Sequence, residues 1–210
     1  MKVFLPKRFF GTELAWMERG AWTLSLCALT YCGGVLAEAE WAQRKGWDEL
    51  RADKILFDSS NNLPSDASAS ASVPRIGGEP RVALGSLEMA ASGLSAVIFD
   101  GADDFTLSRG IGHLPGSALP GQQGNVVLAG HRDTFFRKLE HVTLGENLTI
   151  QTPTADATYT VTSIHIVDPR ETSVIRPTSD FRITLITCYP FHFLGHAPLR
   201  FVVTGKLVTK

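Results

Sequence analysis

Cys188 is the one cysteine of this chain that lies outside a long uncharged segment, and its neighbours suggest chemistry. It ends the run Ile183-Thr184-Leu185-Ile186-Thr187, and Tyr189-Pro190-Phe191 follows, so a strand over residues 182–188 presents the thiol at its lip. A lone cysteine can be a small buried hydrophobe. At a strand's lip it can instead be a nucleophile, which needs its thiolate and a nearby imidazolium or guanidinium to favour that form. There are six histidines to choose from. His131 has the most suggestive context, following the apolar strand Asn125-Val126-Val127-Leu128-Ala129 and Gly130 and preceding Arg132-Asp133-Thr134. His113, in Gly112-His113-Leu114-Pro115, and His141 and His165 read as structural or surface groups.

Cys188, His192 and His196 are spaced four apart, which on a helix would align three zinc ligands. Pro190 and Gly195 oppose that helix, and no second cysteine stands by as a fourth ligand. The expectation is no metal and no cofactor, with these histidines solvating a loop.

An arginine is available on the next element. A strand from Leu199 joined to residues 182–188 by a loop over 189–198 makes an antiparallel hairpin the simplest arrangement. If Cys188 sits opposite Arg200, then Phe181, Ile183 and Leu185 share a core face with Phe201, Val203 and Leu207. Cys188 and Arg200 project together from the other face, beside Thr184, Thr204 and Lys206, which tolerate water.

The elements that must hold this hairpin are short. Residues 97–99, 125–129, 148–151, 158–167, 182–188 and 199–207 read as strands, being rich in Val, Ile, Thr, Phe and Tyr and punctuated by Gly, Pro, Asn and Asp. Short helices are expected at residues 86–92 and 135–141. The pattern predicts a mainly β domain, a barrel or a sandwich, over residues 81–210. That length suffices for one hydrophobic core.

The first part of the chain is different in kind. Residues 21–37 carry no charged side chain, and a helix from Trp22 to Trp41 would rise roughly 29 Å, close to a bilayer's hydrocarbon thickness. All four tryptophans, Trp16, Trp22, Trp41 and Trp47, flank or border this stretch, as interfacial rings do. Lys2, Lys7, Arg8 and Arg19 precede it, against Arg44 and Lys45 after it, so the positive-inside rule puts residues 1–20 in the cytoplasm, a single transmembrane helix over 21–40 and the remainder outside. Ala37-Glu38-Ala39 has the small-x-small form of a signal-peptide cleavage site, and that alternative also exports the remainder. Residues 41–80 form a helical stalk, which Gly46 weakens, and then a flexible tether over 59–80 rich in Ser, Ala, Gly and Pro. A formal net charge of -1 argues against nucleic acid as a partner.

Thr184-Leu185-Ile186-Thr187-Cys188, with Gly130-His131-Arg132 upstream and Arg200 downstream, resembles the signature of the sortases. Residues 112–125, Gly112-His113-Leu114-Pro115-Gly116-Ser117-Ala118-Leu119-Pro120-Gly121-Gln122-Gln123-Gly124-Asn125, look like the approach to the catalytic histidine in class D and related Gram-negative members. The Tyr189-Pro190-Phe191 extension and Pro198-Leu199-Arg200 look most like the proteobacterial type. The resemblance covers roughly residues 81–210 and rests on several separated motifs in order.

It implies an eight-stranded sortase-type β-barrel with short helices, preceded by the single N-terminal transmembrane helix and linker. It also implies a cysteine transpeptidase in the bacterial cytoplasmic membrane, with its catalytic domain extracytoplasmic and, in a Gram-negative cell, periplasmic. Cys188 would attack the Thr carbonyl of an LPXTG-like sorting signal on an exported protein, giving a thioacyl enzyme. His131 would move protons to and from the leaving and incoming amines, and Arg200 would stabilise the oxyanion or hold the substrate backbone. Thr187 would line the substrate groove, and an amine acceptor would take the acyl group. The twelve-position gap from Cys188 to Arg200 is longer than in many members, which assigns the extra residues to the loop over 189–198. A cysteine peptidase resolved by water, and an anchored binding module with an inert Cys188, are the alternatives.

Overall fold

The structure, a computed structural model, describes residues 10–60 and 82–209. Beyond residue 60 the expected tether lies outside the described residues, as do residues 1–9 of the expected cytoplasmic segment. The chain forms two compact units, the first ending at Glu40 and the second beginning at Trp41. Helix α1, Phe10–Ser60, runs through both. Among the described residues it is the one helix long and apolar enough to cross a membrane. Trp22, Leu24, Leu26, Leu29 and Tyr31 are all exposed in the first unit.

The second unit is an eight-stranded barrel. In chain order its strands are β1 (Ala83–Met89), β2 (Leu94–Asp100), β3 (Ile111–His113), β4 (Gly124–Ala129), β5 (Asn147–Gln151), β6 (Asp156–Val167), β7 (Phe181–Tyr189) and β8 (Leu199–Thr209). They close in the order β1-β2-β3-β4-β7-β8-β6-β5. The β2–β3 and β4–β7 pairs are parallel and the others antiparallel. Closure removes free sheet edges, which a small β domain must otherwise protect. Inward side chains alternate along the strands to fill the interior, with Leu87, Ile98, Val126, Leu128, Ile150, Ile183, Leu185 and Val203 fully buried. Each such aliphatic group contributes about 1.5–3 kcal/mol by leaving water.

Two strands differ from the sequence expectation. Residues 86–92 form most of β1 and the turn after it, not a helix. Leu, Glu and Met favour helix locally, but β1 is hydrogen-bonded by β2 on one side and β5 on the other, and that pairing overrides propensity. β3 is three residues long, too short for any periodicity to register. Residues 137–141 form a 3-10 turn inside the expected helix, and α2 (Asp104–Leu107) is one turn capped by Asp103, whose carboxylate accepts from Thr106 N.

The stalk portion of α1 packs on the outside of β2. Gln43 Oε1 accepts from Val97 N at 2.9 Å, and its Nε2 donates to Arg109 O at 2.6 Å, so one side-chain amide stands in for a strand neighbour where β3 is too short to reach. Gly46 is what lets the helix come this close: a Cβ there would lie 2.8 Å from Val97 Cγ1. Leu50, Ala83, Val97 and Phe99 form a second small core at this contact, with Trp47 against it.

Candidate active site

β4 and β7 run side by side in parallel from Gly124↔Phe181 to Ala129↔Ile186. Continuing that register past Ala129 sets Gly130 beside Thr187 and His131 beside Cys188. The pairing does carry on: Gly130 N donates to Ile186 O at 3.2 Å, and Thr187 Oγ1 donates to Gly130 O at 2.7 Å. On its other side β7 pairs antiparallel with β8, with Cys188 opposite Arg200. Three adjacent strands therefore deliver His131, Cys188 and Arg200 to one level at one end of the barrel. This is the hairpin register read from the sequence.

All three residues are half-buried, so the thiol is reachable from solvent. Among the described residues no hydrogen bond or ion pair joins their side chains; strand register and the Thr187–Gly130 bond set their spacing. Arg200 Nη1 donates to Leu199 O at 3.0 Å and Ala197 O at 3.4 Å, which holds the guanidinium at the start of β8. The backbone at His131 is fixed from behind. Phe136 N donates to His131 O at 3.0 Å, and the fully buried Phe136 ring lies so close to Gly130 that a Cβ there would be 2.8 Å from it.

Thr187 is buried, with its hydroxyl spent on Gly130, so it ties two strand ends together from inside the barrel. The outer face of the hairpin also differs from expectation at one place. Thr184 is buried and donates to Asn125 Oδ1 at 2.7 Å, because the segment between β6 and β7 crosses over it: Asn125 Nδ2 donates to Val174 O and Arg176 O. Phe181, at the strand's first position, is 40% exposed rather than in the core.

The other histidines have other occupations. His113 is buried, with Nε2 donating to Ala118 O at 2.9 Å and 3.0 Å from Ser117 Oγ. His192 is exposed, with Nε2 3.1 Å from a Glu140 carboxylate oxygen. Among the described residues no three His, Cys, Asp or Glu side chains gather as a metal set. Tyr159, fully buried in the barrel, braces the segment before β4: its phenol oxygen accepts from Gly121 N at 2.9 Å, and burial pushes its pKa up.

Residues 87–208 match the family model described as the sortase domain. The chain belongs to the sortase family. Sortase D of Bacillus subtilis is 37% identical over 128 residues, 60% of this chain and 65% of that protein. Sortase A of Listeria monocytogenes is 33% identical over 128 residues, 59% of this chain and 56% of that protein. The chain thus spans under two-thirds of the length of these curated relatives. Among solved structures, a Sortase D5 transpeptidase of Clostridium perfringens superposes with TM-score 0.62 over 82% of this chain and 99% of that one, at 20% identity, a likeness of fold. The crystal structure of Listeria monocytogenes sortase A gives TM-score 0.56 at 30% identity, over 60% of this chain and 88% of that one. A closed eight-strand barrel with few helices and one long apolar N-terminal helix is the sortase architecture that the sequence led us to expect.

Sequence reading named Thr187 only as a groove residue and missed the contacts that hold this site in place. The Thr187–Gly130 tie, the packing of Phe136 on Gly130 and the attachment of Arg132 to the loop after β7 all join segments more than fifty residues apart or depend on a turn's path. Their one sequence signal was the Gly130-His131-Arg132 triplet itself.

Proposed function

We propose that this sortase is a cysteine transpeptidase acting through Cys188, His131 and Arg200 on an LPXTG-like sorting signal of an exported protein. The observation that carries the reading is the shared level of His131, two residues past the end of β4, with Cys188 on β7 and Arg200 on β8. The Cys188 thiolate attacks the carbonyl carbon of the signal's Thr. A C–S bond forms, the C–N bond to the next residue breaks, and the leaving amine takes its proton from His131. An acceptor amine then attacks the thioester, gives a proton to His131 and returns the thiolate to Cys188. Among the described residues Arg200 donates through Nη1 to the Ala197 and Leu199 carbonyls, and its Nε and Nη2 are further donors for the oxyanion or the substrate backbone. The half-exposed thiol favours this over an inert cysteine in a binding module.

The apolar first unit is the membrane anchor, with residues 1–20 cytoplasmic, the span over 21–40, stalk and tether over 41–80, and the catalytic domain over 81–210 outside the cell membrane. Likeness to Sortase D supports a class D type. The relatives named above come from Bacillus, Listeria and Clostridium, so they lend nothing to a proteobacterial origin.

The test is to incubate the full chain in detergent with a fluorescent LPXTG peptide, with and without a small primary amine, and to look for a Cys188 thioester by mass spectrometry. Amine-dependent product and an acyl adduct on Cys188 are expected. Product that never incorporates the amine would leave a hydrolytic peptidase, and an unmodified Cys188 would reject the mechanism.

A further inference from the structure

The loop between β7 and β8, residues 190–198, leaves Cys188 and returns at Arg200, and three separate contacts hold it. At its root, the Phe191 ring packs on Phe201 with centroids 5.1 Å apart and on Tyr189 at 6.0 Å. On its flank, His192 meets Glu140 at 3.1 Å. Around its tip, a single side chain gathers the backbone: Arg132 Nη1 donates to Pro190 O at 3.1 Å, and Nη2 donates to Phe193 O at 2.6 Å and Gly195 O at 3.0 Å. The guanidinium carbon lies 5.8 Å from the centre of the Phe193 ring. Carbonyls turned inward onto one cation leave the tip's side chains facing out, and Leu194 is 99% exposed with Phe193 at 43%.

Arg132 directly follows His131, so one short segment carries both the residue level with Cys188 and the residue that shapes the loop leaving Cys188. We infer that Arg132 is a positioning residue that holds this loop so that Phe193 and Leu194 form an apolar wall for the acyl-donor peptide. The inference rests on the transpeptidase reading for its substrate, but the clamp itself does not. Held this way, Phe193 and Leu194 stand exposed side by side on the loop that leaves Cys188, where a peptide entering the site would cover apolar surface. An arginine suits the task because its planar fork reaches carbonyls in several directions, whereas a lysine offers one nitrogen.

The experiment uses the full chain in detergent, as parent, Arg132→Ala, Arg132→Lys and Leu194→Ser. Chymotryptic cleavage within residues 190–198 reads the clamp, and KM and kcat for the LPXTG peptide read the wall. Arg132→Ala should speed loop cleavage about tenfold and raise KM about tenfold with a much smaller change in kcat. Arg132→Lys should recover only part of each. Leu194→Ser, on a fully exposed side chain, should raise KM by about tenfold; because it removes one chymotryptic site, the clamp is read only in the Arg132 variants. Unchanged cleavage in Arg132→Ala overturns the clamp, as does full recovery by lysine. Unchanged KM in Leu194→Ser overturns the wall, even if Arg132→Ala fails to fold. If the parent turns over no sorting peptide, the transpeptidase reading and with it the wall fall, while cleavage still decides the clamp.

Discussion

Thr187 Oγ1 lies 2.7 Å from the carbonyl oxygen of Gly130, a buried hydrogen bond between the C-terminal end of β7 and the residue that precedes His131. It fixes the distance between the strand end bearing Cys188 and the turn bearing His131 without touching either side chain. Thr187→Val should therefore cost about 1–3 kcal/mol, since the Gly130 carbonyl stays buried without this donor. Turnover should fall further than that stability loss predicts, and Thr187→Ser should keep most of both. Urea unfolding alongside peptide turnover checks this; a valine variant with parental activity would show that the tie has no bearing on the site.

Arg200→Ala should lower kcat by about 10²–10³ while leaving the unfolding midpoint nearly unchanged. The pairing of Cys188 with Arg200 is made by main chain, so β7 and β8 stay in register when the guanidinium is removed. Arg200→Lys should recover only a fraction, because a single ammonium cannot replace the fork. Steady-state kinetics on the folded variant decides it, and an unaltered kcat would move the oxyanion role elsewhere.

The β7–β8 register was legible because alternation in both strands and the loop between them leave few ways to bury one face. The barrel itself was legible as several short strands, yet its closure depends on β1 and β3. β1 carries Ala, Leu, Glu and Met, whose local preference is helical, interrupted by Gly85 and Ser86, and β3 has three residues. Strand identity there comes from neighbours on both sides, which no window of sequence contains. Thr184 was misjudged for a similar reason: its pattern says outward, but a crossing segment anchored by Asn125 turns that outward face into interior. His131 stood out locally, while what holds it, Thr187 and Phe136, could be known only from the path of the chain.

His113, at the end of β3, and His131, just past β4, should separate cleanly. His131→Ala should abolish turnover in a protein that unfolds close to the parental midpoint, since its side chain is half-buried and bonded to none of the described residues. His113→Ala removes a buried ring and its bond to Ala118 O, so it should lose about 1–3 kcal/mol of stability and keep substantial activity while folded. Complete loss of activity in a folded His113 variant would mean that the wrong histidine has been assigned to the chemistry.

Gln43→Ala tests whether the stalk is part of the catalytic unit. It leaves the fully buried Val97 N–H without its acceptor and frees the Arg109 carbonyl, so unfolding of the barrel should weaken by about 1–3 kcal/mol. Gly46→Leu should do the same by forcing the helix off Val97 and Phe99. Equal denaturation midpoints for parent and both variants would show that the helix and the barrel unfold independently.

Tyr159 gives a pH-dependent test of the segment leading to β4. Tyr159→Phe keeps the ring but leaves the Gly121 N–H without its acceptor, which at neutral pH should cost about 1–3 kcal/mol. Burial raises the phenol's pKa in the folded state, so above the ordinary tyrosine value near 10 the unfolded chain gives up this proton while the folded chain keeps it. The folded state then binds more protons, and stability falls as pH rises through that range. The contribution from this phenol is fully present below pH ~10 and is lost above it. Phenylalanine does not titrate, and every other group is common to both proteins. The gap between parent and variant should therefore be widest at neutral pH and narrow in alkali. Unfolding free energies at pH ~8 and ~11 measure it, and a gap independent of pH would mean that the phenol is not held as buried in solution.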